Sequence, residues 1–167
     1  MINQIIFNSV LAFTILSTLL VTGLLFTFAL LVMPGLGRLE DRGFLGGFQE
    51  IDGIIQRNHP IFVVVWLGSI LSLLIATVMS FAQLEGLARG LLITATALYV
   101  LGVQLPTLIG NIPLNNRLQT LELETMSKSD LAKARQSFEP AWNRLNHIRT
   151  GIGVAVAILL IVVAILR

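Results

Sequence analysis

Four long apolar runs constrain the fold of this chain more than any other feature of its sequence. A helix needs roughly 20 residues at 1.5 Å each to cross the hydrocarbon region of a bilayer, and backbone groups in lipid have to be paired within the segment. The sequence therefore predicts an all-α fold, a four-helix transmembrane bundle that forms a single domain over residues 1–167. The expected spans are about 5–33, 61–82, 91–110 and 148–166, with longer connections at 34–60 and 111–147.

The overall composition agrees with an integral membrane protein. Hydrophobic residues make up 55% of the chain and charged residues 12%, whereas a soluble domain has about 25% charged residues. We interpret the first run as a retained span, because it is too long for a signal-peptide core and lacks a cationic leader. The chain has no cysteine, which excludes disulfides, thiolate metal sites and cysteine nucleophiles.

The distribution of basic residues predicts the orientation of the bundle. Of the eleven Lys and Arg residues, nine lie in the two long segments between the apolar runs, and only Arg89 and Arg167 lie elsewhere. Basic residues are enriched in the cytoplasmic loops of membrane proteins. We therefore expect a multi-pass protein of a bacterial inner membrane or a similar plasma-type membrane, with both termini outside and both long connections in the cytoplasm.

The first connection carries a helical pattern of its own. Its charged residues lie on other faces than its apolar ones, which are Phe44, Phe48, Ile51 and Ile55. This pattern predicts an amphipathic helix that either lies in the lipid interface or folds against the bundle as a cap, and its acidic residues favour the cap. Asn58 is a candidate N-cap for span two.

The second connection also predicts helical structure on the same side of the membrane. Ser129 and Asp130 are typical of a helix start. Pro113 is expected to bend or end the helix of span three, and Pro140 to kink the next helix or begin a new one that continues into span four. Extra amphipathic helices are thus expected in both connections.

The unusual polar residues gather at the end of the bundle where both connections lie. If 138–150 is helical, Asn143 and Asn146 lie on one polar stripe with His147 beside it. Unpaired amides in lipid cost a few kcal/mol each, so we expect these three residues to face Asn111 and Asn115 across one pocket. The full set is Asp52, Arg57, Asn58 and His59, then Gln104, Asn111, Asn115, Asn116 and Arg117, then Asn143, Asn146, His147 and Arg149.

Two interpretations of this cluster stay open. In the first, the polar groups cap helix ends and hold the connections in place. In the second, they form the polar top of an apolar pocket between bundle helices, where a small molecule binds. His147 or His59 would then act as a general base, because imidazole titrates near physiological pH.

We expect no metal ion and no organic cofactor. The chain contains neither HExxH nor a Glu-x-x-His pair of the kind that builds a di-iron site in a helical bundle. A haem between His59 and His147 is sterically conceivable, but these are the only two histidines of the chain. Nucleotide loops, catalytic triads and features of nucleic-acid binding are absent from the sequence.

Four short motifs are spread over most of the chain. They are Met33-Pro34-Gly35-Leu36, then Phe48, Ile51, Asp52 and Gln56, then Asn111-x-Pro-Leu-Asn115, and finally Trp142-Asn143 with His147, Arg149 and Thr150. Together they resemble the anthrone oxygenase-like family of small four-span membrane proteins, many of whose bacterial members have no assigned activity. The resemblance implies a four-helix membrane bundle and, for the named members, oxidation of an anthrone to an anthraquinone by O₂ without a cofactor.

The polar cluster is compatible with that chemistry. Loss of the acidic benzylic proton of a phenolic tricycle gives a stabilised carbanion that reacts with O₂ unaided, so the protein supplies only a base, oxyanion donors and an apolar slot. We expect His147 to be the base, with Asn143 and Arg149 as further catalytic groups. The expected ligand-binding residues are Asn111, Asn115, Asn146, Gln104 and His59.

A non-enzymatic membrane protein is the alternative, either a binder of a lipophilic molecule or an accessory subunit of a larger membrane complex. The expected partners are the lipid bilayer and a hydrophobic aromatic small molecule, without nucleic acid. Assembly into a homo-oligomer or a larger complex stays open.

Overall fold

Five helices make up most of the chain in this computed structural model, which describes residues 2–57 and 59–167. Four of them are long and apolar enough to cross a membrane, so the protein is a multi-pass membrane protein and the predicted all-α bundle is confirmed. Asn58, the candidate cap of span two, lies outside the described residues. The helices are α1 (Ile2–Leu36), α2 (Asp41–Gln56), α3 (Pro60–Gln83), α4 (Gly86–Gln119) and α5 (Lys128–Leu166).

The four long helices form a ring in the order α3, α1, α5, α4. Helix α1 packs against α3 and α5, and α5 packs against α4 from one end to the other. Both long connections lie at one end of the ring, which we call the connection end. The chain termini and the α3–α4 turn lie at the other, the turn end, where Arg167 donates a hydrogen bond to Asn8.

The turn-end half of the bundle is a closely packed apolar core. Small residues let the helices approach, because a Cβ on Gly68 would lie 3.0 Å from Phe13, and one on Gly153 would lie 2.9 Å from Thr22. Neither position therefore accepts a larger side chain without a shift of its neighbour. The largest side chains fully buried there include Phe7, Leu11, Leu73, Leu92, Tyr99 and Leu160.

Helix α2 folds over the connection end as a cap, which confirms the preferred interpretation of its amphipathic pattern. Its Phe48 ring lies 4.7 Å from the ring of Phe138 and 5.2 Å from that of Trp142, both on α5. Gln49 donates to the carbonyl oxygens of Leu118 and Leu121 at 2.8 and 3.1 Å. Aromatic packing and long polar side chains thus hold α2 on the bundle.

The helical residues of the second connection belong to α4 and α5 rather than to a helix of their own. Helix α4 passes Pro113 and ends at Gln119. Helix α5 runs through Pro140 without a break. The cap of α5 is Ser127 and not Ser129, since the Ser127 hydroxyl accepts the amide proton of the residue three positions on, as a capping side chain does.

Three segments of the long helices are π-helical. They widen the helix turn and allow α4 to continue past Pro106, which has no amide proton for the regular α-helical pattern. The segments are Phe28–Val32 in α1, and Tyr99–Gln104 and Thr107–Asn111 in α4.

Candidate functional site

A cavity of about 610 Å³ lies in the connection-end half of the bundle, bounded by all five helices. This volume is in the range of small-molecule sites. The walls that α1 and α3 contribute are entirely apolar, and five aromatic side chains border the space. The apolar lining residues are Leu24, Leu25, Phe28, Phe48, Ile55, Phe62, Trp66, Leu67, Ile70, Val100, Leu108, Ile112 and Trp142.

The polar lining comes from the opposite side of the cavity. Helices α4 and α5 contribute most of it, and α2 contributes one carboxylate. Because positions three and four apart lie on one helix face, each helix presents its polar groups together. These residues are Asp52 on α2, Gln104, Thr107, Asn111 and Asn115 on α4, and Asn146 and Arg149 on α5.

Arg149 is a buried cation without a carboxylate partner. Only 3% of the residue is exposed. Its Nη1 donates to Thr107 Oγ1 at 2.9 Å and its Nη2 to Asn146 Oδ1 at 3.0 Å, and its Cζ lies 5.9 Å from the Trp142 ring centroid. None of the ion pairs among the described residues involves this guanidinium. Burial of an unpaired charge is costly, so the position favours an anionic ligand.

A hydrogen bond of Asn146 indicates how far the polar wall lies from the expected membrane boundary. Its Nδ2 donates to the carbonyl oxygen of Leu25 at 3.0 Å. Leu25 lies eight residues before Met33, the expected end of span one. At 1.5 Å per residue, the polar wall is about 12 Å inside the expected membrane boundary. Water is scarce at this depth, which strengthens electrostatic interactions within the cavity.

The carboxylate of Asp52 is already held by three side-chain amides. Asn115 donates to Oδ1 at 2.7 Å, and Gln56 and Gln119 donate to Oδ2 at 2.7 and 3.0 Å. The Oδ1 of Asn115 in turn accepts the indole proton of Trp142 at 2.9 Å. This network joins α2, α4 and α5 and fixes the orientation of the Asp52 carboxyl group.

Four buried polar atoms beside the cavity have no hydrogen-bond partner among the described residues. They are the Nε2 of Gln104, the Nδ2 and Oδ1 of Asn111, and the Nε of Arg149. Most buried polar atoms in proteins are paired, and an unpaired one costs about 1–3 kcal/mol. Three free donors and one free acceptor therefore indicate a ligand with several oxygen atoms, or water in its place.

The structure brings together five of the eight predicted site residues. Gln104, Asn111, Asn115, Asn146 and Arg149 all line the cavity. The periodic spacing of Gln104, Asn111 and Asn115 on α4 was the signal for these three residues. Asn146 and Arg149 were identified by their position around the start of span four. These five predicted residues thus lie on one continuous wall of the cavity.

Three predicted residues lie elsewhere. His147 is exposed, its Nδ1 is 2.6 Å from the carbonyl oxygen of Asn143, and both residues line a separate surface pocket with Arg38 and Glu139. His59 is exposed at the start of α3. The expectation that Asn143 and His147 face the amides of α4 is therefore wrong.

Helix geometry explains the error. Trp142, Asn146 and Arg149 are spaced by four and three residues and share the inward face of α5, whereas His147 is rotated by about 100° from Asn146. The predicted polar stripe is centred one residue too far along the chain, because it contains Asn143 and leaves out Trp142. Gln119, a partner of Asp52, is missing from the prediction, although it lies four residues after Asn115 on the same helix.

Comparison with known proteins adds a family to this geometry. The family model described as anthrone oxygenase matches residues 54–159, which is more than half of the chain. Every polar residue that lines the cavity except Asp52 lies in that range. No curated protein and no solved structure matches the chain. The family match alone is sufficient for one conclusion: the chain belongs to the anthrone oxygenase family.

Proposed function

We propose that the protein binds a hydrophobic aromatic molecule in the cavity and oxidises it with O₂, without a cofactor, as the named members of its family oxidise an anthrone. The single observation that carries this proposal is the position of Arg149. A buried guanidinium with no carboxylate partner suits a reaction in which the substrate itself becomes the anion.

The two-sided lining of the cavity supports the proposal. A flat aromatic ring system packs against the apolar wall, where Phe28, Phe62 and Trp66 offer ring faces and edges. Its oxygen-bearing edge then meets Arg149 and Asn111 on the other side. Shape and polarity thus orient the substrate in one direction.

The proposed reaction begins with loss of a proton from a benzylic carbon. The C–H electron pair moves into the ring system and places negative charge on the carbonyl oxygen opposite this carbon. Arg149, Gln104 and Asn111 donate hydrogen bonds to that oxygen. The carbanion then adds O₂ and takes back the proton, which gives a hydroperoxide. Loss of the second hydrogen from the same carbon as a proton forms the new carbonyl group and breaks the O–O bond. The outer oxygen leaves as hydroxide and takes up that proton, so that anthrone and O₂ give anthraquinone and water.

We propose Asp52 as the group that accepts the proton. It is the only carboxylate that lines the cavity in the part of the chain that the structure describes. Its three amide donors fix the orientation of both carboxyl oxygens. Since Arg149 stabilises the product anion, a weak base suffices for this step.

We further propose that the connection end faces the cytoplasm and that both termini lie outside. Nine of the eleven Lys and Arg residues support this orientation. Protease protection of a tag at each terminus in intact cells tests it. Cleavage of both tags from outside is the expected result, and protection of both would invert the orientation.

O₂ uptake by the purified protein with an anthrone as substrate tests the function. The protein should accelerate uptake and form the anthraquinone, and Arg149→Gln should lower the rate by about 100-fold or more, as loss of an oxyanion donor does in other enzymes. His147→Gln on the outer face of the same helix is the matched control and should retain activity. Full activity of Arg149→Gln would overturn the proposed role of the guanidinium.

A binder of lipophilic molecules is the second candidate function. The observation in its favour is that the one carboxylate of the cavity is already engaged by three amides. Tight binding of an anthrone, detected by quenching of tryptophan fluorescence, without O₂ uptake above the uncatalysed rate would favour this candidate over the oxygenase.

A further inference from the structure

The ring of helices is closed on three sides and incomplete on the fourth. Glycines bring α4 against α5, because a Cβ on Gly102 would lie 2.6 Å from Ile152 and one on Gly110 would lie 2.7 Å from Leu145. The α1–α3 and α1–α5 sides are closed by similar contacts at Gly68 and Gly153. Helix α4 therefore packs closely against α5 and lies farther from α3.

Hydrogen bonds between the described side chains of α3 and α4 lie at Ser69 and Tyr99 and nearer the turn. Thr77 and Thr96 share a hydrogen bond of 2.6 Å, and nearer the connection end Ser69 and the hydroxyl of Tyr99 share one of 2.7 Å. Close backbone contacts between the two helices lie on the Gly86–Leu98 portion of α4. From Tyr99 to the connection end, the described side chains of α3 and α4 share no further hydrogen bond.

Residues on both edges of this gap line the cavity and are also exposed on the outer surface of the bundle. Leu67 on α3 lines the cavity and is 51% exposed. On the other edge, Leu108 and Ile112 of α4 line the cavity and are 61% and 39% exposed. Both edges of the gap are therefore apolar, as in a surface that contacts acyl chains.

The gap also lies at the depth of the bilayer. Leu67 is seven residues from Pro60, the first residue of α3, which corresponds to about 10 Å along the helix axis. Leu108 lies within expected span three. The opening therefore faces hydrocarbon just inside the boundary region rather than bulk water.

We propose that the cavity exchanges its ligand directly with the bilayer through the gap between α3 and α4. The ligand is a molecule that partitions into acyl chains and enters with its oxygen-bearing edge towards Arg149. This inference rests on the proposed function in taking the occupant to be a lipophilic aromatic molecule.

The energetics of transfer fit the two-sided lining. A ligand that leaves acyl chains for an apolar wall gains little from the hydrophobic effect, because lipid is as apolar as the leucines that replace it. Selectivity then depends on the hydrogen bonds of the opposite wall, where Gln104, Asn111 and Arg149 have free polar atoms. A molecule without oxygens at the correct edge returns to the bilayer.

The absence of cysteine makes a closure experiment direct. Leu67→Cys with Leu108→Cys allows a flexible bis-maleimide to bridge the gap. Thr77→Cys with Thr96→Cys places the same bridge where the two helices already touch, as the matched control. Both pairs are built into Trp66→Phe, which leaves Trp142 as the only tryptophan, buried beside the cavity.

The first readout does not depend on activity. In phosphatidylcholine vesicles, bromobenzene, a quencher that partitions into lipid, should quench Trp142 before cross-linking, whereas aqueous iodide should not. The bridge across 67 and 108 should abolish quenching by bromobenzene, and the bridge across 77 and 96 should leave it unchanged. Quenching that survives the first bridge, or strong quenching by iodide, would refute entry from the bilayer.

The second readout separates this inference from the proposed function. If the 67–108 bridge also stops turnover of an anthrone, the gap is the route of the substrate. If the bridge blocks quenching and the protein without any substitution has no turnover, the oxygenase proposal fails while lipid access to the cavity stands. Turnover that continues behind a complete bridge would refute the gap as substrate route.

Discussion

The two halves of the bundle are built from the same four helices but differ in packing. The turn-end half is filled by side chains such as Leu92 and Leu160, which are fully buried. The connection-end half encloses the cavity. Helix α2 and long polar side chains pack on this half and hold its helices in position. The three π-helical segments all lie in the second half. The filled core and the cavity are thus separated along the length of the bundle.

The buried polar groups of the two halves differ in kind. In the turn-end half they are hydroxyls, of which Thr14 and Ser17 donate to backbone carbonyl oxygens of their own helix, each at 2.8 Å. At the cavity they are mostly amides and a guanidinium. Gln104, Asn111 and Arg149 there keep donor or acceptor atoms without a hydrogen-bond partner among the described residues.

The largest expected effect is loss of core packing in the turn-end half. Leu160→Ala should lower stability by about 2–5 kcal/mol, because it opens a void in a filled core. Leu25→Ala at the cavity wall is the matched control and should cost less than half as much, since Leu25 already borders empty space. Thermal unfolding in detergent measures both. Equal losses would show that the two halves do not differ in packing.

The second expected effect concerns the contacts that hold α2 on the connection-end half. Arg135 donates to the carbonyl oxygens of Gly37 and Leu39, each at 2.9 Å, and to Glu139 at 2.7 Å. Arg135→Ala should cost about 1.5–3 kcal/mol, the usual value for hydrogen bonds to a charged group. Lys133, 75% exposed in its pair with Asp130, is the control.

Lys133→Ala should change stability by less than about 0.5 kcal/mol, as exposed ion pairs contribute little. Protease cleavage within 37–41 should rise in the Arg135 variant only. If both variants behave alike, side chains that reach the α1–α2 connection do not hold the cap.

A smaller effect is expected where α4 leans on α5. Gly102→Ala should cost about 1–3 kcal/mol, because the new Cβ meets both Cδ1 and Cγ2 of Ile152. Gly151→Ala has open space around its Cβ and should instead gain up to about 1 kcal/mol from helix propensity. The methyl group added at Gly102 should also push α4 away from α5 and towards α3. This movement should narrow the gap between α3 and α4 and slow the quenching of Trp142 by bromobenzene. Faster quenching would mean that the glycines do not set the width of the gap.

The smallest effect is expected on the outer face of α5. His147→Ala should change stability by less than about 0.5 kcal/mol and leave turnover intact, since the ring is exposed and contacts only its own helix in the hydrogen bonds described. Turnover and thermal unfolding, measured together, check this. Loss of turnover in a folded protein would restore His147 as the base and contradict the assignment of the site to the cavity.

The sequence predicted those features that depend on local periodicity. The four apolar runs gave the spans, and the spacing of Phe44 and Phe48 gave the cap helix. The stripe of Gln104, Asn111 and Asn115 could be placed on one face, because neighbours on one helix are fixed by 3.6 residues per turn.

The remaining features depend on tertiary structure. Which face of α5 turns inward is decided by the packing of Trp142 against α2, and the sequence of α5 alone left this open. Two of the three partners of Asp52, Asn115 and Gln119, come from another helix, 63 and 67 residues along the chain. The gap between α3 and α4 follows from glycines that draw α4 to a third helix.

The π-helical segments of α4 make the connection-end half sensitive to the removal of a single residue. Each wide turn holds an extra residue, and positions after it are rotated by about 100° relative to a continuous α-helix. Removal of one residue from Tyr99–Gln104 would turn Thr107 and Asn111 away from the space they now line. Loss of a single residue there should therefore remove polar groups from the cavity wall, while the apolar wall of α1 and α3 stays in place.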